Sequence, residues 1–206
     1  MTGPAELLRD FVNTYDVESD IDDLASPAEL TVWLRERDLI HEGDRAVDGD
    51  LALAIRLREG LRDALRHNHD GTPYDDGKAL DAALAVLPLR VTLSGGAPAL
   101  VPTVSTVAGT VTETVPGAAT GTVTGTSAGP GVPGGLARIA AAIPAAHADG
   151  MWPRLKVCAE STCQWAFIDS SKNRSRSWCS MRVCGNRTKT RAYRARRQTD
   201  GSSRVS

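Results

Sequence analysis

The sequence has few aromatic residues, no long apolar run and no cysteine before residue 158. Aromatic residues make up 4% of its 206 residues. No apolar run reaches about 18 residues, the length that a membrane-spanning helix needs, so we expect no transmembrane segment. The opening residues, MTGPAELLRDF, mix acidic with apolar side chains and form no continuous hydrophobic stretch. They predict no secretory signal and a cytoplasmic location.

Recognisable catalytic motifs are also missing. None of the four histidines stands in an HExxH motif or beside a nucleophile elbow, and the glycine pair at 95–96 lacks the pattern of a phosphate-binding loop. Asp22-Asp23 is predicted to be a solvated turn or cap. We expect Arg56, Arg58 and Arg62 to be exposed helix charges, with a pocket for an anionic effector as the alternative. The sequence therefore predicts that the protein is not an enzyme.

All four cysteines lie in the last quarter of the chain. Cys158 and Cys163 form one C-x4-C pair, Cys179 and Cys184 form another, and fifteen residues separate the pairs. Each pair is short enough for two thiolates to bind one tetrahedral ion, and the spacer allows a hairpin to return the chain. We predict one structural Zn²⁺ per chain, since four protein ligands leave no open coordination position. Disulfides and an iron–sulfur cluster are the alternatives, although metal binding is the commoner use of paired cysteines in a reducing compartment.

Charge is divided unequally along the chain. Residues 151–206 hold 13 Lys/Arg against 3 Asp/Glu, a net charge of +10. Residues 1–150 hold 11 Lys/Arg against 22 Asp/Glu, a net charge of −11. Such a division predicts a polyanion-binding end attached to an acidic body.

The cations around and after the cysteines are candidate nucleic-acid contacts. Ser180 is placed to cap a helix that continues to Gln198. Arg187, Arg191 and Arg194 would form one stripe of that helix, able to follow a phosphate backbone or enter a major groove. DNA is the predicted partner, with RNA or an acidic protein as alternatives. The candidate contacts are Arg174, Arg176, Arg182, Arg187, Lys189, Arg191, Arg194, Arg196 and Arg197.

The residues before the cysteines predict a mainly helical domain. Ser26-Pro27-Ala28-Glu29 has the pattern of a helix start, with Ser26 as N-cap. Apolar residues at intervals of three and four predict helices over 4–15, 50–66, 75–87 and 136–147, and the segments 90–94 and 99–101 predict a small β-hairpin. The fold class is therefore predicted to be α+β, with a zinc-stapled hairpin-plus-helix module after the helical domain.

The predicted organisation has two units. Residues 1–150 form the helical domain, interrupted by a flexible insertion at about 103–135 that is rich in Thr, Gly and Val. Residues 151–198 form the zinc module, and 199–206 form a disordered tail. A homodimer and a small-molecule effector of the helical domain stay open at this point.

Two stretches of the sequence resemble known families. From about Trp152 to Arg197 the chain resembles the CGNR zinc finger, and its front end, less sharply, resembles the ABATE domain. The resemblance implies a zinc-binding, bacterial stress-induced transcription regulator whose finger binds DNA. The matching finger residues are Cys163-Gln-Trp165-Ala-Phe167-Ile-Asp169-Ser170, Asn173-Arg174, Trp178-Cys179-Ser180-Met181, Cys184-Gly185-Asn186-Arg187 and Lys189; those in the front are Asp10-Phe11-Val12-Asn13-Thr14, Leu30, Trp33-Leu34 and Leu39.

Overall fold

The computed structural model describes residues 3–70, 77–94, 96–103 and 131–202. Its helices are α1 (Pro4–Val12), α2 (Pro27–Arg35), α3 (Asp48–Asp70), α4 (Lys78–Ala85), α5 (Gly131–Ala148) and α6 (Asn186–Ser202). Its strands are β1 (Tyr15–Asp16), β2 (Ile21–Asp22), β3 (Leu89–Thr92), β4 (Ala99–Pro102), β5 (Leu155–Val157) and β6 (Ala166–Ile168). A 3-10 turn (Trp152–Arg154) precedes β5, and a π-helical turn (Met181–Gly185) leads into α6.

The strands form three separate antiparallel hairpins. β1 pairs with β2, β3 with β4, and β5 with β6. The β3–β4 pairing confirms the hairpin predicted around the glycine pair at 95–96. The hairpins lie within a mostly helical front region and a C-terminal region that carries the cysteines, so the predicted α+β class is confirmed. No helix in the described parts of the chain is long and apolar enough to cross a membrane.

Helix boundaries follow local hydrogen bonding. Ser26 Oγ accepts a hydrogen bond from Glu29 N, which confirms the predicted cap of α2. The prediction that the first helix reaches Tyr15 is wrong, since α1 ends at Val12 and Tyr15 lies in β1. The chain turns there because Thr14 Oγ1 donates to the carbonyl of Phe11, 2.8 Å away.

One hydrophobic core extends across the predicted boundary at residue 150. It contains buried residues of α1, α2, α3, α4 and α5 together with Leu155, Val157 and Ala166 from the β5–β6 hairpin. Leu155 is completely buried, and its strand β5 packs against α3. The β5–β6 strands are therefore packed into the core of the helical region, while the cysteines and Trp178 form a separate small cluster beside it.

Helix α5 begins inside the segment that the sequence predicts as an insertion. Residues 104–130 of that segment lie outside the described residues, but 131–135 are helical, so the prediction of a flexible insertion is wrong for these five residues. Gly134 and Gly135 are buried, and at Gly135 helix α5 closely approaches the Leu39 backbone and the Ile40 side chain. These glycines therefore allow close packing of the helix. The Gly-rich composition of the segment had instead indicated flexibility. Helix α6 likewise extends four residues beyond 198, and 203–206 lie outside the described residues.

Replacing Gly135 by alanine is expected to lower the free energy of unfolding by about 1–3 kcal/mol. The added Cβ would lie 2.6 Å from Ile40 Cγ2 and 3.2 Å from the carbonyl oxygen of Leu39, so packed atoms would have to move. Gly49→Ala in α3 is the matched control because its Cβ would meet nothing within 4 Å. Urea denaturation measures both variants. Equal stabilities of the two variants would contradict the packing role of Gly135.

Candidate metal centre and basic helix

The β5–β6 hairpin and the π-helical turn position the four cysteines. Cys158 directly follows β5, and its N–H donates to the carbonyl of Trp165 at 2.9 Å, which holds the loop before β6 closed. Cys163 lies in that loop, and its N–H donates to the carbonyl of Glu160 at 2.9 Å. Ser180 Oγ accepts a hydrogen bond from Val183 N and caps the turn that carries Cys184. Local hydrogen bonds thus place Cys158, Cys163 and Cys184.

The four Sγ atoms converge on one point. All of them lie within 4.8 Å of one another, and Cys179 Sγ lies 3.6 Å from Cys163 Sγ and 3.7 Å from Cys184 Sγ. A tetrahedron with Zn–S bonds of about 2.3 Å has edges of about 3.8 Å, which these separations match. None of the four cysteines forms a disulfide. The donor set therefore fits one structural Zn²⁺, as the sequence predicts.

The thiols influence one another's ionisation. A hydrogen bond from Cys163 lowers the pKa of Cys158 to about 5, and this hydrogen bond together with burial raises the pKa of Cys163. Burial and the nearby Cys158 thiolate raise the pKa of Cys179 to about 12. One thiolate thus opposes ionisation of its neighbours. A divalent cation held by Cys158, Cys163, Cys179 and Cys184 would offset that repulsion and favour the thiolate form of all four.

The segment between β6 and the second cysteine pair is held by a buried ion pair. The Asp169 carboxylate is completely buried and accepts hydrogen bonds from Lys156 Nζ at 2.9 Å and Arg176 N at 3.0 Å. Arg176 also donates from Nε to the carbonyl of Trp178 and from Nη2 to the carbonyl of Cys179. Arg176 was predicted to contact nucleic acid, but the structure places its guanidinium on the backbone that carries a metal ligand.

Two arginines of the predicted stripe on α6 have carboxylate partners within the chain. Arg187 Nη2 lies 2.7 Å from Glu18 Oε1 on the β1–β2 turn. Arg191 Nη1 lies 3.0 Å from Glu160 Oε1, and the buried Glu160 carboxylate also accepts a hydrogen bond from Thr188 Oγ1. The sequence gives no sign of either pairing, since the acids lie far from the arginines along the chain.

The remaining candidate contacts point outward. Arg187, Arg191 and Arg194 line one open surface groove of about 610 Å³, so the predicted stripe exists as a surface. Arg197 lies over the Tyr193 ring, with its guanidinium carbon 5.8 Å from the ring centroid. Among the candidate contacts Arg187 is half-buried, and the exposed ones are Arg174, Arg176, Arg182, Lys189, Arg191, Arg194, Arg196 and Arg197.

Sequence reasoning missed a set of polar residues that joins the helical region to the finger. Arg62 was expected to be exposed, but only 3% of its side chain is, and it donates to the carbonyls of Val12, Tyr15 and Gln164. The Asn13 side chain both donates to and accepts from the backbone of Ala166, at 2.9 and 2.7 Å. These polar residues bind strand β6 and its preceding loop to α1 and α3.

Arg58 and Asp22 form an ion pair between α3 and β2, within the N-terminal region. Arg58 was also expected to be exposed, but it is buried and pairs with both carboxylate oxygens of Asp22, at 2.6 and 2.9 Å. Asp22 is therefore a structural partner and not a solvated turn residue. Arg58 lowers the pKa of Asp22 against the opposing effect of burial. Of the three arginines considered for an anionic effector, only Arg56 is exposed.

The fold and the four-thiolate site define a small zinc-finger protein with a helical N-terminal region. Residues 154–197 match the family described as CGNR zinc finger. Residues 5–150 match the ABATE family, described as "Putative stress-induced transcription regulator". The chain therefore belongs to the ABATE family and carries a C-terminal CGNR zinc finger, as the sequence motifs indicate. No curated protein matches the chain.

Proposed function

We propose that this protein is a DNA-binding transcription regulator and not an enzyme, with α6 and the adjoining finger loop as its nucleic-acid surface. The observation that carries the proposal is the concentration of outward-facing cations on a finger whose four thiols converge on one candidate metal site. A closed set of four thiolates leaves the metal no position for water or substrate, so its role is structural.

The exposed cations differ in whether their side chains already bind a partner within the chain. Within the described residues, the side chains of Arg182, Lys189 and Arg194 have no hydrogen bond or ion pair with a carboxylate. Arg176 and Arg191, in contrast, are held by internal partners. We therefore assign phosphate contacts first to Arg182, Lys189 and Arg194. Phosphate neutralisation supplies most of the affinity of such a surface and makes binding strongly dependent on salt.

Fluorescence anisotropy with zinc-loaded full-length protein and a pool of random duplex DNA tests the proposal. We expect binding that weakens steeply as salt rises. Arg194→Gln is expected to reduce the slope of log K against log salt by about 0.9, the loss of one phosphate contact. Arg56→Gln is the matched control, because Arg56 is an exposed residue of α3, far from α6 along the chain. This variant should leave the slope unchanged.

Three outcomes would overturn or redirect the proposal. Absence of binding at low salt would overturn it and favour a protein-docking finger. Stronger competition by structured RNA than by duplex DNA would assign the surface to RNA. An equal effect of Arg194→Gln and Arg56→Gln would show that α6 does not contact the phosphates.

We further propose that the N-terminal region senses a small molecule. An open cleft of about 700 Å³ lies among α1, the β3–β4 hairpin and α5, and its charged lining residues are Arg90 and Arg138. Leu7, Val101 and Ala142 supply apolar lining, so the cleft suits an anion with an apolar body. Thermal unfolding of the full chain with hexanoate, and with hexylamine as the oppositely charged control, tests this. No stabilisation by hexanoate, or equal stabilisation by both, would contradict a site for apolar anions.

A further inference from the structure

The β1–β2 hairpin contains an ordered acidic turn, defined as residues 16–22 and so including the adjoining strand residues. Asp16 Oδ1 accepts a hydrogen bond from Glu18 N at 2.9 Å, and Asp16 Oδ2 accepts one from Ser19 Oγ at 2.8 Å. Tyr15 donates its hydroxyl to Asp20 Oδ1 at 2.7 Å, across the turn. These bonds fix the backbone on both sides of Glu18.

Both ends of the acidic turn are attached to buried arginines of α3. Arg62 donates to the carbonyl of Tyr15 just before the turn, and to the carbonyl of Gln164 in the cysteine-bearing loop, each at 3.1 Å. Arg58 binds the carboxylate of Asp22 at the other end. The acidic turn is therefore held at a defined position beside the finger.

From this position Glu18 reaches the first turn of α6. Its Oε1 lies 2.7 Å from Nη2 of Arg187, whose Nη1 donates to Thr162 Oγ1 at 3.3 Å. Arg187 lines the same groove as Arg191 and Arg194. A carboxylate from the acidic N-terminal region thus forms an ion pair with a cation of the proposed nucleic-acid surface.

The two carboxylates that bind α6 differ in how easily a phosphate could replace them. Glu160 is completely buried, and removing Arg191 from it would leave a buried charge uncompensated, which is strongly unfavourable. Glu18 is 44% exposed and Arg187 33% exposed, so water can solvate either group when they separate. Guanidinium groups bind phosphate oxygens with the same geometry as carboxylate oxygens. Replacement of Glu18 by a phosphate therefore requires only side-chain movement.

We propose that Glu18 is a built-in competitor of nucleic acid: its carboxylate holds Arg187 in the place of a backbone phosphate and lowers the affinity of the finger. This inference rests on the proposed function and adds a residue outside the finger that sets the affinity. Because Glu18 belongs to the acidic turn, any partner or modification that moves the turn would change the number of available cations on α6.

Anisotropy titrations of full-length Glu18→Gln and Asp23→Asn against the same random duplex DNA test the inference. Both variants remove one negative charge, but Asp23 is exposed just beyond the acidic turn, and among the described contacts its carboxylate has no partner on α6. Since exposed ion pairs contribute about 0.2–1 kcal/mol, Glu18→Gln is expected to bind about 1.4- to fivefold more tightly at low salt. Asp23→Asn should change affinity much less. Zinc content and thermal unfolding check that both variants remain folded.

A double-mutant cycle with Arg187→Gln separates a direct contact from a general change of charge. Glu18→Gln should give no gain in the Arg187→Gln background if the carboxylate acts through this guanidinium. Wild-type binding with equal affinities of Glu18→Gln and Asp23→Asn would overturn the inference and leave the proposed function standing. Absence of binding by the wild type and by Glu18→Gln would overturn both.

Discussion

Substitution of Cys184 by serine is expected to remove the zinc and unfold the finger, the largest effect that we predict for one residue. The cysteines have a cluster of their own, comprising Cys158, Cys163 and Cys184 with Trp178 and Cys179 packed against it. So small a cluster supplies little hydrophobic stabilisation, while structural zinc contributes about 10–16 kcal/mol in comparable modules. Elemental analysis should show the loss of one zinc per chain, and circular dichroism should show loss of the helical signal of α6.

Ser180→Ala is the control for the cysteine substitution. It alters the same turn and removes the hydrogen bond to Val183 N, which is worth about 1 kcal/mol, but it leaves all four thiols in place. This variant should keep its zinc and its helical content. Full zinc occupancy and an unchanged spectrum in Cys184→Ser would contradict the four-thiolate assignment.

Replacing Arg62 by methionine is expected to lower the free energy of unfolding of the whole chain by about 3–5 kcal/mol. Methionine retains much of the apolar length but leaves the carbonyls of Val12, Tyr15 and Gln164 without their donor. Gln164 is 102 residues away, so the loss should loosen the contact between α3 and the finger. Denaturant unfolding measures the stability, and hydrogen exchange of β6 measures the loosening.

Arg56→Met is the matched control for Arg62→Met. Arg56 lies on the same helix but is exposed, so its replacement should change stability by no more than about 0.5 kcal/mol. Zinc content should stay the same in both variants, because neither touches a thiol. Equal stability of the two variants would show that the buried arginine does not join the two regions energetically.

The core shared by the helical region and the finger also determines which form of the protein can be used in experiments. Because Leu155, Val157 and Ala166 belong to the same core as the helices, a fragment that ends at residue 150 would expose part of that core. Ligand and nucleic-acid experiments are therefore designed for the full chain. Movement of the finger as an independent unit would require separation of Asn13 from β6 and of Arg62 from Gln164.

The sequence by itself determined the features that depend on local spacing. Two C-x4-C pairs suffice to predict a tetrahedral metal site, because ligands within each pair are brought together by a short loop. The cap at Ser26 and the β3–β4 hairpin were likewise predicted from neighbouring residues. The excess of positive charge in the finger is a property of composition and needs no knowledge of the fold.

Only the tertiary structure decided which charges are internal. Arg58, Arg62 and Arg187 look alike in sequence, yet the first two are buried and the third is paired with an acid 169 residues away. A charged side chain is buried only when the fold supplies partners that compensate for lost hydration, and these partners come from distant segments. For the same reason Glu18, which sequence analysis did not single out, became the residue that faces the proposed nucleic-acid surface.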